Sequence, residues 1–129
     1  MARRTQKTHR VETPDEGVMV VPFGFTINGT SDPDGLIGDT LASVVRNEAG
    51  EFLCTLRDQY AACFFGDASC SVTADDTDLE GRVDWSTVVS DGTFTVRFMD
   101  DTTQNDPTDN LLAGGFLLVT KTTRAARGA

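Results

Sequence analysis

The apolar residues of this chain come in short runs, and the cleanest of them alternate with polar residues instead of recurring at helical spacing. The clearest run is Thr93 to Asp100, where Phe94, Val96 and Phe98 fall on one side and Thr93, Thr95 and Arg97 on the other. A period of two sends successive side chains to opposite faces of a strand. A strand with one apolar face has to bury it against a second layer, and no segment here reads as a long amphipathic helix. The second layer is therefore expected to be another sheet.

The other runs agree. Val18 to Ile27 is rich in β-branched and aromatic residues, with Phe23, Phe25 and Ile27 on one face. Pro22 lacks the N–H that a ladder needs, which places this strand at an edge or a bulge. Leu41–Arg46 and Glu51–Leu56 read as a hairpin across Asn47–Gly50, with Phe52, Cys54 and Leu56 on the buried side. Ser69–Ala74, Arg82–Val89 and Gly115–Thr122 complete the strand set, with Asp91-Gly92 as a hairpin turn. Asn28–Gly35 is dense in turn residues, and residues 101–110 form a polar loop. Leu111–Ala113 reads as a short helical or extended piece. Arg57–Phe65 fits neither period and is expected to be a helical turn or crossover, with Tyr60 as a packing anchor. Roughly six to eight short strands in one small domain predict an all-β fold, an antiparallel sandwich or barrel. The chain has 129 residues, enough for one core.

Charge divides the chain into three parts. Residues 11–120 hold all 20 acidic residues but only Arg46, Arg57, Arg82 and Arg97 as bases, a net of −16. Arg3, Arg4, Lys7 and Arg10 give the first ten residues +4, and Lys121, Arg124 and Arg127 give the last nine +3. The expected organisation is a basic N-terminal arm over residues 1–16, a β domain over 17–122 and a basic tail over 123–129. Val11 is the sizeable apolar anchor of the arm after Met1. A body this acidic repels phosphates, so nucleic acid is not an expected partner. The arms also lack aromatic residues for base stacking. Their natural counterpart is an acidic surface, which includes the body of an identical subunit.

No apolar run approaches the ~18 residues that span a bilayer, so no membrane partner is expected. MARRTQKTHR has a basic start without an apolar stretch behind it, which does not read as a secretory signal and points to synthesis in the cytoplasm. Cys54, Cys63 and Cys70 are odd in number and lack metal-ligand spacing. Cys63 and Cys70 are close enough in sequence to bridge, but free thiols are the expected state.

No catalytic constellation emerges. His9, the one histidine, sits in the basic arm without an orienting partner. Asp75, Asp76, Asp78 and Glu80, and likewise Asp100, Asp101, Asp106 and Asp109, cluster as calcium loops do, but neither group has the spacing of a calcium-binding helix-loop-helix. They read as solvated acidic loops. No glycine stretch has phosphate-loop spacing. The sequence predicts no enzyme, metal or cofactor.

Two stretches carry a resemblance. They are FTINGTSDPDGLIG at 25–38 and SVVRNEAGEFLCTLRDQY at 43–60, the second ending in a TL-x-D-x-Y segment formed by Thr55, Leu56, Asp58 and Tyr60. A late loop, Asp106-Pro107-Thr108, precedes the apolar run Phe116–Val119. This pattern resembles small virion proteins of tailed bacteriophages over Phe25 to Lys121, with residues 66–92 departing from it. The resemblance implies a capsid decoration, or cement, protein. Such a protein sits on the outside of the head shell as a homotrimer and bridges neighbouring major capsid protein subunits. It implies a location on the virion and no catalytic residues. Arg3, Arg4, Lys7 and Arg10 are the residues expected to meet the partner. The alternative is a tail, head-fibre or host-surface binding module that works through loops 28–39, 75–82 and 101–110. The candidate sugar-stacking aromatics for that role, Trp85 and Tyr60, are expected to pack inside.

Overall fold

The computed structural model describes residues 11–12, 18–71 and 79–120. They form two antiparallel sheets packed face to face, the all-β sandwich expected from the alternation. The first sheet consists of β1 (Val11–Glu12), β2 (Val18–Asn28), β3 (Ser31–Asp34), β6 (Ala62–Cys70) and β10 (Leu112–Thr120). Its order is β1-β2-β10-β6, and β3 pairs with the opposite end of β2 from β1. The second sheet consists of β4 (Leu41–Glu48), β5 (Glu51–Leu56), β7 (Glu80–Asp84), β8 (Thr93–Asp100) and β9 (Thr103–Gln104). Its order is β4-β5-β8-β7, with β9 on β8. One short helix, α1 (Val88–Asp91), precedes β8.

Phenylalanines join the layers. Phe23 of β2 meets Phe94 of β8 edge-on with ring centroids 4.7 Å apart. Phe25 of β2 lies 5.4 Å from Phe52 of β5, which lies 6.0 Å from Phe98 of β8. Met19, Val21, Ile27, Leu41, Val96, Leu117 and Val119 fill the space around them and are buried. Each fully buried side chain of this size contributes about 1.5–3 kcal/mol relative to exposure. Apart from Leu41 of β4 and Phe52 of β5, these residues occupy alternate positions of β2, β8 and β10, so the core fixes the parity of those strands.

The sandwich is closed along both sides. On one side β6 runs beside β7, and glycine sets the approach. A side chain at Gly81 would strike the Ala68 carbonyl, and one at Gly66 would strike Val83 and Leu117. On the other side the Asp32 carboxylate of β3 accepts the Arg46 N–H of β4 at 2.8 Å, and the Arg46 guanidinium reaches the Thr30 carbonyl at 3.2 Å. The result is a sandwich with the outline of a flattened barrel.

Several segments differ from their sequence reading. The turn-rich stretch 28–35 contains β3, which turns back on β2 through Gly29 and buries Pro33. The Asn47–Gly50 connection narrows to Ala49-Gly50, with Gly50 at φ 74°. The Arg57–Phe65 segment gives way to strand at Ala62, and β6 then runs to Cys70. The strand expected over Ser69–Ala74 therefore keeps only its first two residues as strand, and 72–78 lie outside the described residues. The strand expected over Arg82–Val89 ends at Asp84, where the Asp84 carboxylate accepts the Ser86 N–H at 3.0 Å and starts a turn. Gly92 does not form a hairpin turn with Asp91. It ends α1 in the left-handed conformation at φ 73°. The 101–110 loop holds β9. Pro22 lies on the stretch of β2 between β1 and β3, an edge position. Leu112–Thr120 is one continuous strand. Tyr60 is buried, and no disulfide joins Cys54, Cys63 and Cys70.

Loop 101–110 is not simply a solvated acidic loop. Asp106 accepts two hydrogen bonds from the Arg46 guanidinium, at 3.0 and 2.7 Å, and a third from the Gly50 N–H at 2.9 Å. It ties the loop to the β4–β5 hairpin. Asp109 accepts the Gly29 N–H at 2.7 Å and ties the loop to the β2–β3 turn. Partial burial pushes the Asp106 carboxyl up, but the Arg46 and Gly50 hydrogen bonds and the Arg46 charge outweigh this and hold it below the usual carboxylate range.

Two predictions follow from this packing. Phe98→Ala should lower the urea-unfolding free energy by about 3–5 kcal/mol, since the fully buried ring leaves a cavity between the sheets. Asp106 has a depressed folded pKa, so its contribution is fully present above the ordinary carboxylate pKa of about 3.9 and is lost as pH falls through the folded value. Asp106→Asn should therefore lower stability at neutral pH and flatten the loss on acidification below about pH 4, both read by thermal melts across pH.

Candidate functional site

The parity set by the core leaves a second apolar surface on the outside of the first sheet. Inward residues of β10 are Ala113, Leu117 and Val119. Outward therefore are Leu112, Gly114, Phe116 and Leu118. On β2 the outward residues are Val18, Val20, Pro22, Gly24 and Thr26. Cross-strand pairing places Leu118 beside Val20 and Phe65, and Phe116 beside Pro22 and Asp67. An antiparallel sheet with one free face normally makes that face polar. This one is apolar, and Asp67 is the only charged residue in β2, β10 and β6.

A bulge in β6 adds to the surface. Leu118 pairs with Phe65 and Val119 with Cys63, so Phe64 is the extra residue. Phe64 is 53% exposed and Phe65 44%. Phe65 lies 5.9 Å from Phe116 and 5.7 Å from Trp85, ring centre to ring centre. Trp85 is half-buried and packs its other side on the core. The expectation that Tyr60 and Trp85 pack inside holds for Tyr60 and half holds for Trp85. The phenylalanines beside Trp85 are the exposed aromatics, and sequence reading missed them. Their signal was present in the doublet Phe64-Phe65, which cannot put both rings into one core without breaking the alternation.

The same face has a trough. Gly24, Gly114 and Ser69 form one row across β2, β10 and β6. A side chain at Gly114 would strike the Phe23 carbonyl and the Gly24 backbone, so glycine lets these strands coil tightly. The row floors an open depression of about 410 Å³, walled by Leu112, Ile37 and Ser71. Ile37 donates its N–H to the Gly24 carbonyl at 3.0 Å and is 48% exposed. A smaller recess of about 270 Å³ lies on its other side, against Pro22 and Thr40.

The second sheet is different outside. Its strands carry Arg46, Glu48, Glu51, Glu80, Arg82, Asp84, Arg97 and Asp100. Glu51 and Arg97 pair across β5 and β8 at 3.1 Å, and Glu80 and Arg82 at 3.3 Å. This is an ordinary solvated face.

The basic segments begin at the first sheet. Thr120, the last residue of β10, pairs with Val18, the first of β2. The +4 segment, residues 1–10, adjoins Val11, which pairs with Val20, and the +3 segment, residues 121–129, adjoins Thr120, which pairs with Val18. Within the expected arm, Val11 and Glu12 add to the edge of β2 opposite Val20 and Met19. The expected contact residues Arg3, Arg4, Lys7 and Arg10 lie outside the described residues, as do His9 and Lys121, Arg124 and Arg127.

Burial pushes the Cys54 thiol far up, and it pushes the Cys63 thiol up against the opposing effect of the hydrogen bond with the Phe65 carbonyl. Among the described residues, no group of three or more histidine, cysteine, aspartate or glutamate side chains is placed to hold a metal ion. Asp75, Asp76 and Asp78 lie outside them. No helix among the described residues is long and apolar enough to cross a membrane. The chain matches no family model, no curated protein and no solved structure.

Proposed function

We propose that the chain is a capsid decoration protein of a tailed bacteriophage. It binds the outside of the head shell, as a homotrimer, and stabilises the shell by bridging neighbouring major capsid protein subunits. It is made in the host cytoplasm and works on the virion. The observation that carries this reading is that both basic segments adjoin the first sheet, at Val11 beside Val20 and at Thr120 beside Val18, where β2, β10 and β6 carry Asp67 alone among charged residues. A small domain built this way attaches in two modes at once. The sheet supplies apolar contact, and the ends supply charge with reach beyond the domain. Many such weak contacts, repeated over a shell, add up through effective concentration. Neither the protein's mass nor its core needs to be large for that. The resemblance over Phe25 to Lys121 supports the same reading.

The second reading is a tail, head-fibre or host-surface binding module. The exposed Phe64, Phe65 and half-buried Trp85 favour it in one respect, since sugar-binding surfaces use exposed rings. Its proposed loops favour it less. Loop 101–110 is pinned by Asp106 and Asp109 to neighbouring turns and has little freedom to adapt to a ligand.

Co-sedimentation with expanded, undecorated shells separates the two readings. Decoration predicts saturable binding near one copy per capsid subunit, weakened in high salt as the charged ends are screened. Deleting residues 1–10, which leaves Val11 and Glu12 in place, should weaken that binding about tenfold or more, the effect of losing a few charge-assisted contacts. No binding of the intact chain contradicts the decoration reading. Unchanged binding after the deletion removes Arg3, Arg4, Lys7 and Arg10 from it.

A further inference from the structure

Among the described residues, Phe65 and Leu112 of the first sheet's outer face stay exposed. Residues 1–10 contain only Met1 and Ala2 as apolar residues, and residues 121–129 only alanines, so neither segment offers apolar side chains to match Phe65, Phe116, Leu118 and Leu112. A second molecule with an apolar surface of its own does.

Charge selects which one. The body carries −16, so two copies repel across most of their surfaces. The strands of the second sheet carry charged groups throughout, whereas β2, β10 and β6 together carry Asp67 alone. Within the first sheet, whose β1 and β3 carry Glu12, Asp32 and Asp34, the β2, β10 and β6 strands are the surface through which a copy presents the fewest carboxylates to another. The ends then change the sign of the interaction, since each copy brings +4 and +3 segments that complement the −16 body of the other. These segments adjoin Val11, which pairs with Val20, and Thr120, which pairs with Val18.

Area gives the same answer. The β10 strand has 9 residues and spans about 30 Å, and three strands about 4.8 Å apart are about 14 Å wide. The face therefore covers about 400 Å², the size of a functional surface patch. A stable interface needs about 800 Å² per partner. The sheet alone falls short by about half, and the terminal segments have the length and charge to supply the rest.

We propose that the outer face of the first sheet docks a second copy of this chain, with Phe65, Phe116, Leu118 and Leu112 in the contact and the opposite charges of the basic segments and the acidic body favouring association. The proposal deepens the decoration reading, from which it takes only that the chain works as one of several identical copies. Phe65, with Phe116 and Trp85 around it, is the anchor of the contact, because clustered aromatic residues at the centre of an interface carry most of its energy.

Sedimentation of the full chain over a range of concentrations, in low and high salt, tests it. The variants are Phe65→Ser and Leu112→Lys on the face, and Val45→Lys on the second sheet. Val45 is 41% exposed against 50% for Leu112, so the two lysines change net charge equally at similarly open positions. Circular dichroism and urea midpoints establish that each variant is folded. The wild type should self-associate, and high salt should weaken it. Phe65→Ser and Leu112→Lys should each weaken association by about 30-fold or more, the loss expected at an interface hot spot. Val45→Lys should associate as the wild type does. A wild type that stays monomeric throughout overturns the proposal, as do folded face variants that associate as tightly as wild type. A monomer that saturates shells, and loses them with Phe65→Ser, assigns the face to the capsid protein instead. A chain that self-associates through this face yet never binds shells keeps the proposal and overturns decoration.

Discussion

Everything in this fold depends on the contact between the phenylalanines of the two sheets. Phe23 and Phe25 reach down from β2, and Phe52, Phe94 and Phe98 reach up from β5 and β8. Once these rings meet, the side-chain parity of the long strands is settled, because a slip of one residue would turn every ring outward. Parity in turn decides the surface. The alternate positions of β8 are threonine, arginine and a methionine, and that side of the sandwich is largely polar. The alternate positions of β2 and β10 are valine, proline, glycine, phenylalanine and leucine with Thr26, and that side is largely apolar. The interaction face is thus a consequence of the core and of two strands that are apolar on both sides.

Much of the fold is legible in the sequence where one face of a strand is polar. β5 and β8 alternate cleanly, and their reading carries over residue by residue to the buried set Phe52, Cys54, Leu56, Phe94, Val96 and Phe98. β6 is harder to read for physical reasons. The Phe64 bulge breaks its period, and its inward positions are Gly66 and Ala68, small because β7 runs against them. Small residues forced by close approach look, in sequence, like the absence of a strand. α1 is hidden for another reason. Val88-Val89 has the composition of strand, yet the Asp84–Ser86 turn bends the chain out of the sheet first, and Val88 is buried while Val89 is exposed.

The candidate face was legible only in part. The Val18–Val21 run announces a strand but not that half of it faces outward, since a strand buried on both sides reads the same way. The charge split between body and ends was plain from the sequence. What geometry adds is where the boundaries of the split lie in space, at Val11 beside Val20 and at Thr120 beside Val18, next to the β2, β10 and β6 strands that carry Asp67 alone. A bulk property thereby becomes a local one. The acidic body keeps copies apart, the bare sheet gives them a place to meet, and the basic ends provide the attraction that the body lacks.

The central claim is that the outer face of the first sheet is covered in the assembled state. Hydroxyl-radical footprinting of the full chain, compared between dilute and concentrated solution, tests it at the level of single side chains. The account predicts that Phe65, Phe116 and Leu112 lose reactivity on concentration while Val45 and Val89, exposed elsewhere, do not change. Equal reactivity of Phe65 and Leu112 in both conditions, or protection that appears at Val45 instead, would contradict it.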